Sequence, residues 1–334
     1  MELIEGVALS QLCDYSFGDQ SGQWGNIYTS FMKDANLTNI EFVSKLFDIK
    51  KSRDYMTLFI DNIRLYKRHI VEVKDADRSY IDSLHDKNDL LHLCKNFPDM
   101  KFIIFTNLED TPIDDYIFGL IPDNVLCISA VNAVAYGDKV IPAPYGLQRA
   151  MNPQDDRIGV IKNFMKFPPM KPLTLLYISH NESSNQERIG IKDLFREKRW
   201  AIVDESRSSY SEFLEKMCQA KFMICPRGNA IDCHRNWEVL YMRRVPVMKY
   251  HPYLEVLFKD YPVLFVNDYS EVTENLLLKN EELFIRSQSI DLIHLSLPHW
   301  FEKICLQARF GKVDNSHHHM EEDWNEDPFA FEIL

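Results

Sequence analysis

Nowhere in the 334 residues is there an apolar run close to the 18 or so that a membrane-spanning helix needs, so no segment is expected to cross a bilayer. Positive charge is also scarce. Against 50 Asp and Glu stand 38 Lys and Arg, and the net charge of -12 argues against a general nucleic-acid binder while leaving room for one local basic cleft. The seven cysteines show no metal-ligand spacing and, being odd in number, no complete disulfide framework; reduced thiols in a cytoplasm are expected. Residues 1–11 lack the basic stretch that opens a signal peptide. No strand leads into a G-x-G-x-x-G turn, which removes the usual support for a bound dinucleotide.

The chain is long enough for two domains with separate cores. Residues 55–60 (YMTLFI), 101–106 (KFIIFT) and 125–130 (VLCISA) read as buried strands, and 80–96 has helical spacing. Strands alternating with helices predict a parallel α/β sheet. Residues 141–147 (IPAPYGL) are too punctuated by proline for a helix interior or central strand, and with 152–156 after them they mark the connection between domains. Tyr145 and Gly146 there are either ligand contacts or part of a stiff linker. Beyond it come a strand at 173–179, a helix at 186–196, a strand at 200–203, a helix at 210–219, a strand at 262–266 and a helix from 270 onward. Residues 295–310 have helical spacing started near Pro298, and 312–334 read as an acidic solvated tail. His317, His318 and His319 in that tail point in different directions on any regular element, so no metal site is expected of them.

Residues 221–249 (KFMICPRGNAIDCHRNWEVLYMRRVPVMK) concentrate the chemistry. The pattern predicts a strand over 222–225, a tight turn through Pro226, Arg227, Gly228 and Asn229, a helix over 231–242 and a strand over 245–248. A loop leaving the carboxyl end of a parallel strand is where ligands sit, and the helix that follows favours an anion such as a diphosphate. His234, Arg235 and Glu238 fall within about one turn. Arg235 and Glu238 are i,i+3 neighbours, and a guanidinium with a carboxylate suits phosphate oxygens and vicinal hydroxyls. The same spacing is equally that of an intrahelical salt bridge on a solvated face.

Cys225-Pro226-Arg227-Gly228, then His234-Arg235-Asn236-Trp237-Glu238-Val239-Leu240 and Val245-Pro246-Val247, resembles the signature of exostosin-type glycosyltransferases, family 47 with its bacterial and viral relatives. Arg243 stands where that family usually has the glycine of a left-handed helix cap, so a different local turn is expected. The resemblance implies a GT-B enzyme: two Rossmann-like domains facing each other across a cleft, here residues 1–150 on the acceptor side and 151–311 on the nucleotide-sugar side, with 312–334 as a tail. It implies that Glu238 binds ribose hydroxyls, that Arg235 lies near the diphosphate, and that Asn181 and Arg188 are donor contacts. Arg227, Gly228, Asn229 and His234 complete the expected donor site.

The implied activity is inverting, metal-independent transfer of a sugar from a nucleotide diphosphate donor, with UDP-xylose the first to try, to a hydroxyl of a glycan or glycoconjugate. No cofactor beyond the donor substrate, no nucleic acid and no membrane span are expected. The expected location is a bacterial cytosol or the cytoplasm of a virus-infected cell. The catalytic base is expected in the loop 13–26, at Asp19 or else Asp14, where Gly18, Gly22 and Gly25 lie among Tyr15, Phe17 and Trp24. Ordinary surface turns would use the same residues. His85 and His92 read as surface groups of the 80–96 helix. Asp75-Ala76-Asp77 matches a metal-diphosphate grip in composition, but it follows a short, charge-broken run rather than a hydrophobic strand. The alternatives are a non-catalytic glycan- or nucleotide-binding α/β protein and, among enzymes, a sugar-nucleotide epimerase, which the missing dinucleotide fingerprint disfavours.

Overall fold

The structure, a computed structural model, describes residues 1–4, 6–16, 40–61, 90–107, 113, 115–148, 156–167, 170–206, 208–311 and 318–319. The chain is mixed α/β with two five-stranded parallel sheets, consistent with Rossmann-like architecture. By their contacts its residues form two compact units, one of Glu2–Tyr145 with Leu297–Leu334 and one of Gly146–Ser296.

In the first unit β1 (Tyr15–Ser16), β2 (Tyr55–Asp61), β3 (Lys101–Asn107) and β4 (Val125–Ala130) are followed by the two-residue β5 (Ala135–Tyr136) and by β6 (Val140–Pro142). The sheet order is β1-β2-β3-β4-β6, the order in which the chain makes the strands. The three central strands are near-continuous apolar runs, as befits strands covered on both faces, and Met56, Leu58, Phe102, Ile104 and Ile128 are wholly buried. Each such side chain contributes about 1.5–3 kcal/mol. Pro142 ends the edge strand β6, where its missing N–H breaks no ladder. The Leu297–Phe310 helix, from the far end of the chain, belongs to this unit: Phe301 stacks on Phe105 at 4.7 Å and Leu297 N donates to Glu2 O at 3.0 Å. Nor are 312–334 wholly a tail, because β12 (His318–His319) pairs antiparallel with β5.

In the second unit β7 (Thr174–Ile178), β8 (Ala201–Val203), β9 (Ala220–Ile224), β10 (Val245–Lys249) and β11 (Leu264–Val266) form the order β11-β10-β9-β7-β8. Counted along the chain that is 2-1-3-4-5, so the order reverses between β7 and β9. Pro246 lies inside the internal strand β10 at no cost to the ladder. Val247 O accepts from Cys225 N, so residue 247 faces β9 and Pro246 faces β11, whose pairing begins only at Val247. The helix expected at 186–196 is instead two 3-10 turns, Gln186–Arg188 and Lys192–Leu194. Asn185 is extended (φ -164°) and caps the first turn through its own side chain, and Gly190 at φ 78° interrupts the rest. The helix expected from 270 is likewise divided, into the turn Tyr269–Glu271 and the helices Glu274–Lys279 and Glu281–Gln288.

Candidate functional site

The helix after β9 runs His234–Tyr241, three residues later than its spacing predicts, so the turn after β9 is a nine-residue loop (225–233) and not a tight one. The cause is Asp232. Fully buried, its carboxylate accepts from Asn236 Nδ2 at 2.8 Å and Trp237 Nε1 at 2.7 Å, which holds residues 230–232 in bends ahead of the helix. Trp237, also fully buried, packs on Phe258 at 4.9 Å and fixes the helix's rotation. At the other end the left-handed turn survives without its glycine. Arg243 sits at φ 55°, Arg244 N donates to Val239 O and Arg243 N to Leu240 O, a complete Schellman motif. The side chain offsets the strain, since Arg243 Nη1 donates to Gln288 O at 2.6 Å and Ile290 O at 3.1 Å.

That rotation turns Glu238 inward. It is 4% exposed; Tyr210 Oη donates to its Oε1 at 2.8 Å and Arg235 Nε lies 3.1 Å from its Oε2. The ion pair foreseen as an alternative is therefore formed, but in the wall of a cavity and not on a solvated face. The cavity holds about 580 Å³ and is lined by Ser179 after β7, Asp204, Ser206, Ser208 and Ser209 after β8, Tyr210 and Phe213 on the next helix, Arg235 and Glu238, and Arg157. All of these stand at the carboxyl end of the sheet, beside its reversal. Its two guanidiniums rest on aromatic faces: Arg235 lies 4.0 Å from the centroid of Phe213, Arg157 lies 5.1 Å from that of Tyr210, and the two rings stack at 6.1 Å. Burial, then the Glu238 charge, push the Tyr210 phenol far above its usual range, so it remains a donor.

Behind the serines, Lys216 Nζ donates to Asp204 Oδ2 at 3.0 Å and to Ser206 Oγ and Ser208 Oγ at 2.7 Å each. The amine thus spends its three donors on this wall and braces Asp204, Ser206 and Ser208 against one another. Burial alone would raise Asp204, but hydrogen bonds from Ser206, Tyr177 and Lys216 hold its carboxyl far below the usual range.

Beside the cavity the loops after β7 and β9 are tied together. Arg188 Nε donates to Arg227 O at 2.7 Å, Nη2 to Pro226 O at 3.0 Å and Nη1 to Asn181 O at 3.2 Å, while Asn185 Nδ2 reaches Gly228 O at 2.9 Å. His180 joins them through Nε2, 3.1 Å from Arg188 O. A carbonyl can only accept, so Nε2 carries the proton and Nδ1, buried and without a partner, is an acceptor. Burial and the nearby Arg188, Lys192 and Arg235 lower the His180 pKa to about 4. Gly146, at φ 72°, is tied to the same helix: His234 Nδ1 donates to its carbonyl at 2.7 Å. The segment that joins the two units is thus fastened to the His234–Tyr241 helix.

Of the expected donor residues, Arg235 and Glu238 line the cavity. Arg188 and Asn181 belong to the loop clamp, Arg227 and Gly228 supply carbonyls to it, Asn229 is exposed, and His234 holds the linker. Gly228 has no left-handed backbone, and a Cβ there would meet Arg188 Nη2 at an ordinary 3.4 Å. Asp14 is committed elsewhere: it pairs with Arg53 and accepts from Thr57 N at 2.8 Å and Thr57 Oγ1 at 2.7 Å, just before β1 begins. Asp19, the Asp75-Ala76-Asp77 motif and His85 lie outside the described residues. Among the described residues no group of three or more His, Cys, Asp or Glu converges on a metal position, and no helix is long and apolar enough to cross a membrane.

A second cavity, of about 510 Å³, opens at the amino end of the same sheet, lined by Phe164, Phe167, Met170, Tyr241 and Met242 with Glu215 and Arg243. Its Arg243 is already spent on backbone carbonyls.

A polar cavity with two guanidiniums and a buried carboxylate thus lies beside the strand-order reversal of a parallel sheet, the position at which ligands of such sheets generally sit. In comparisons with known proteins, no family model and no curated protein matches the chain.

Proposed function

We propose that this protein is a GT-B-type glycosyltransferase that moves a sugar from a nucleoside diphosphate donor to an acceptor hydroxyl. The observation that carries this reading is Glu238, buried in the cavity wall and held by Tyr210 and Arg235 with one lone pair of each oxygen still open. A carboxylate so fixed takes the vicinal hydroxyls of a ribose. Arg235 and Arg157, oriented by Phe213 and Tyr210, take the diphosphate.

In the reaction the acceptor oxygen attacks the anomeric carbon, the bond to the diphosphate oxygen breaks with inversion, and a base removes the hydroxyl proton. The guanidiniums stabilise the departing negative charge. With cationic groups there for the leaving diphosphate, the rate should persist in EDTA. Loss of activity restored by manganese or magnesium would count against this assignment. Asp19 of the first unit is the base to test, by Asp19→Asn, with turnover lowered about a hundredfold or more at unchanged donor affinity.

The deciding experiment is release of free nucleotide from UDP-sugars, xylose first, only when acceptor glycan is added. Nucleotide binding without any turnover would favour the second reading, a non-catalytic nucleotide- or glycan-binding protein, toward which the commitment of Asp14 to Arg53 and Thr57 leans.

A further inference from the structure

The carbonyls of residues 226–228 are all held from the side of residues 185–188. Pro226 O and Arg227 O accept from Arg188, and Gly228 O accepts from Asn185. A trans peptide sets its N–H opposite its C=O, and no described peptide bond is cis. Three successive carbonyls drawn toward residues 181–188 therefore turn three successive amides, those of Arg227, Gly228 and Asn229, to the opposite side together. Consecutive N–H groups facing one side make a concavity that receives an anion. Among the described residues, the amides of Gly228 and Asn229 donate to no protein group.

Charge points the same way independently. Arg188 is a largely buried guanidinium whose acceptors are all neutral carbonyls, and no described carboxylate pairs with it; burial lowers its pKa. Nearby, Arg235 Nη1 is buried with no acceptor. The Arg188 charge, part-buried and met only by neutral carbonyls, is the one an anion on the loop amides would offset; Arg235 already has Glu238 and brings a spare N–H.

We propose that the loop 226–229 is a backbone-amide site for a phosphate group, and that Arg188 is its positioning residue, acting on carbonyls and not touching the ligand. This deepens the donor-site reading and rests on it only for the identity of the anion, a nucleoside diphosphate as against free phosphate. It also reverses the part expected of Arg188, from phosphate contact to brace.

The test is amide NMR and calorimetry on the full chain with inorganic pyrophosphate, inorganic phosphate and UDP. Saturable shifts of the Gly228 and Asn229 amides are expected with pyrophosphate, and tighter binding with UDP. Arg188→Lys keeps the charge but cannot fork two carbonyls, so pyrophosphate affinity should fall roughly tenfold or more. Asn185→Asp, which keeps the cap on Glu187 N but can no longer donate to Gly228 O, should weaken binding less than Arg188→Lys and gives the readout if Arg188 variants fail to fold. Absence of saturable binding, or binding without shifts at Gly228 and Asn229, overturns the site. Full affinity in Arg188→Lys overturns the positioning role. Pyrophosphate binding to the loop with no turnover of any nucleotide sugar upholds the site and removes the transferase reading instead.

Discussion

The two sheets have the same number of parallel strands and differ in one respect, their order. In the first the strands stand as the chain makes them; in the second the order reverses between β7 and β9. At a reversal the connections on either side leave in opposite directions, and a crevice opens at the carboxyl ends of the strands. Around that crevice the second unit gathers partly satisfied polar groups: Arg235 with a free N–H, Glu238 with open lone pairs, and the neutral His180 with an unused acceptor. In the first unit Asp14, one of the two acids expected as a base, sits just before β1 and is already bound by Arg53 and Thr57. Of these two acids, the one beside the reversal lines a cavity, and the one before the edge strand β1 ties β2 to its neighbour.

The largest expected effect tests that separation directly. Glu238→Ala leaves Tyr210 and Arg235 without their acceptor inside the wall, and should cost about 3 kcal/mol or more of stability. The shape-preserving Glu238→Gln isolates the ligand effect, with nucleotide affinity at least roughly tenfold weaker, about 1.4 kcal/mol. Asp14→Ala should cost about 2 kcal/mol of stability and leave nucleotide affinity alone. Denaturant midpoints and nucleotide titrations on the three variants give both numbers. A changed nucleotide affinity in Asp14→Ala would erase the contrast between the units.

A second effect, smaller, belongs to the second unit alone. His180 stays neutral in the folded protein down to about pH 4, whereas in the unfolded chain it protonates below about 6.5. Between those values the unfolded state binds more protons, so stability is full above about pH 6.5 and is lost as pH falls toward 4. The loss should be of the order of 2 kcal/mol once partial exposure of the ring is allowed for. His180→Asn should flatten this part of the pH profile, and an unchanged profile would show the ring to be solvated.

Much of the fold was legible because β2, β3, β4, β7, β9 and β10 are apolar runs that parallel pairing requires. Strands of two or three residues such as β1, β5 and β6 are too short to show a period. The cavity was half legible. Arg235 and Glu238 announce themselves by spacing on one helix, but Arg157, Ser179, Asp204, Tyr210 and Phe213 come from segments far apart in the chain, and only the fold brings them together. Tyr210 left one local trace, the capping box of Ser209 and Glu212 that starts its helix. Asp232 left another, in retrospect: an acid followed at four and five residues by Asn236 and Trp237, whose donors it accepts from.

The smallest effect sharpens the comparison at a matched feature, because each unit holds one described non-glycine residue in the left-handed region: Asn132 at φ 52° after β4 and Arg243 at φ 55° after the His234–Tyr241 helix. Asparagine tolerates that conformation and arginine does so at a cost of about 1 kcal/mol or somewhat more. On backbone grounds alone Arg243→Gly should stabilise. Yet one nitrogen, Arg243 Nη1, holds the carbonyls of both Gln288 and Ile290, a charge-assisted contact that contributes about 1.5–3 kcal/mol in all, and glycine forfeits it. Arg243→Gly should therefore lose about 1 kcal/mol net, whereas Asn132→Gly should lie within about 0.5 kcal/mol of the parent. Urea midpoints at constant slope measure both. If Arg243→Gly proves the more stable protein, the side-chain bonds contribute less than the strain they accompany, and arginine at this turn is tolerated rather than used.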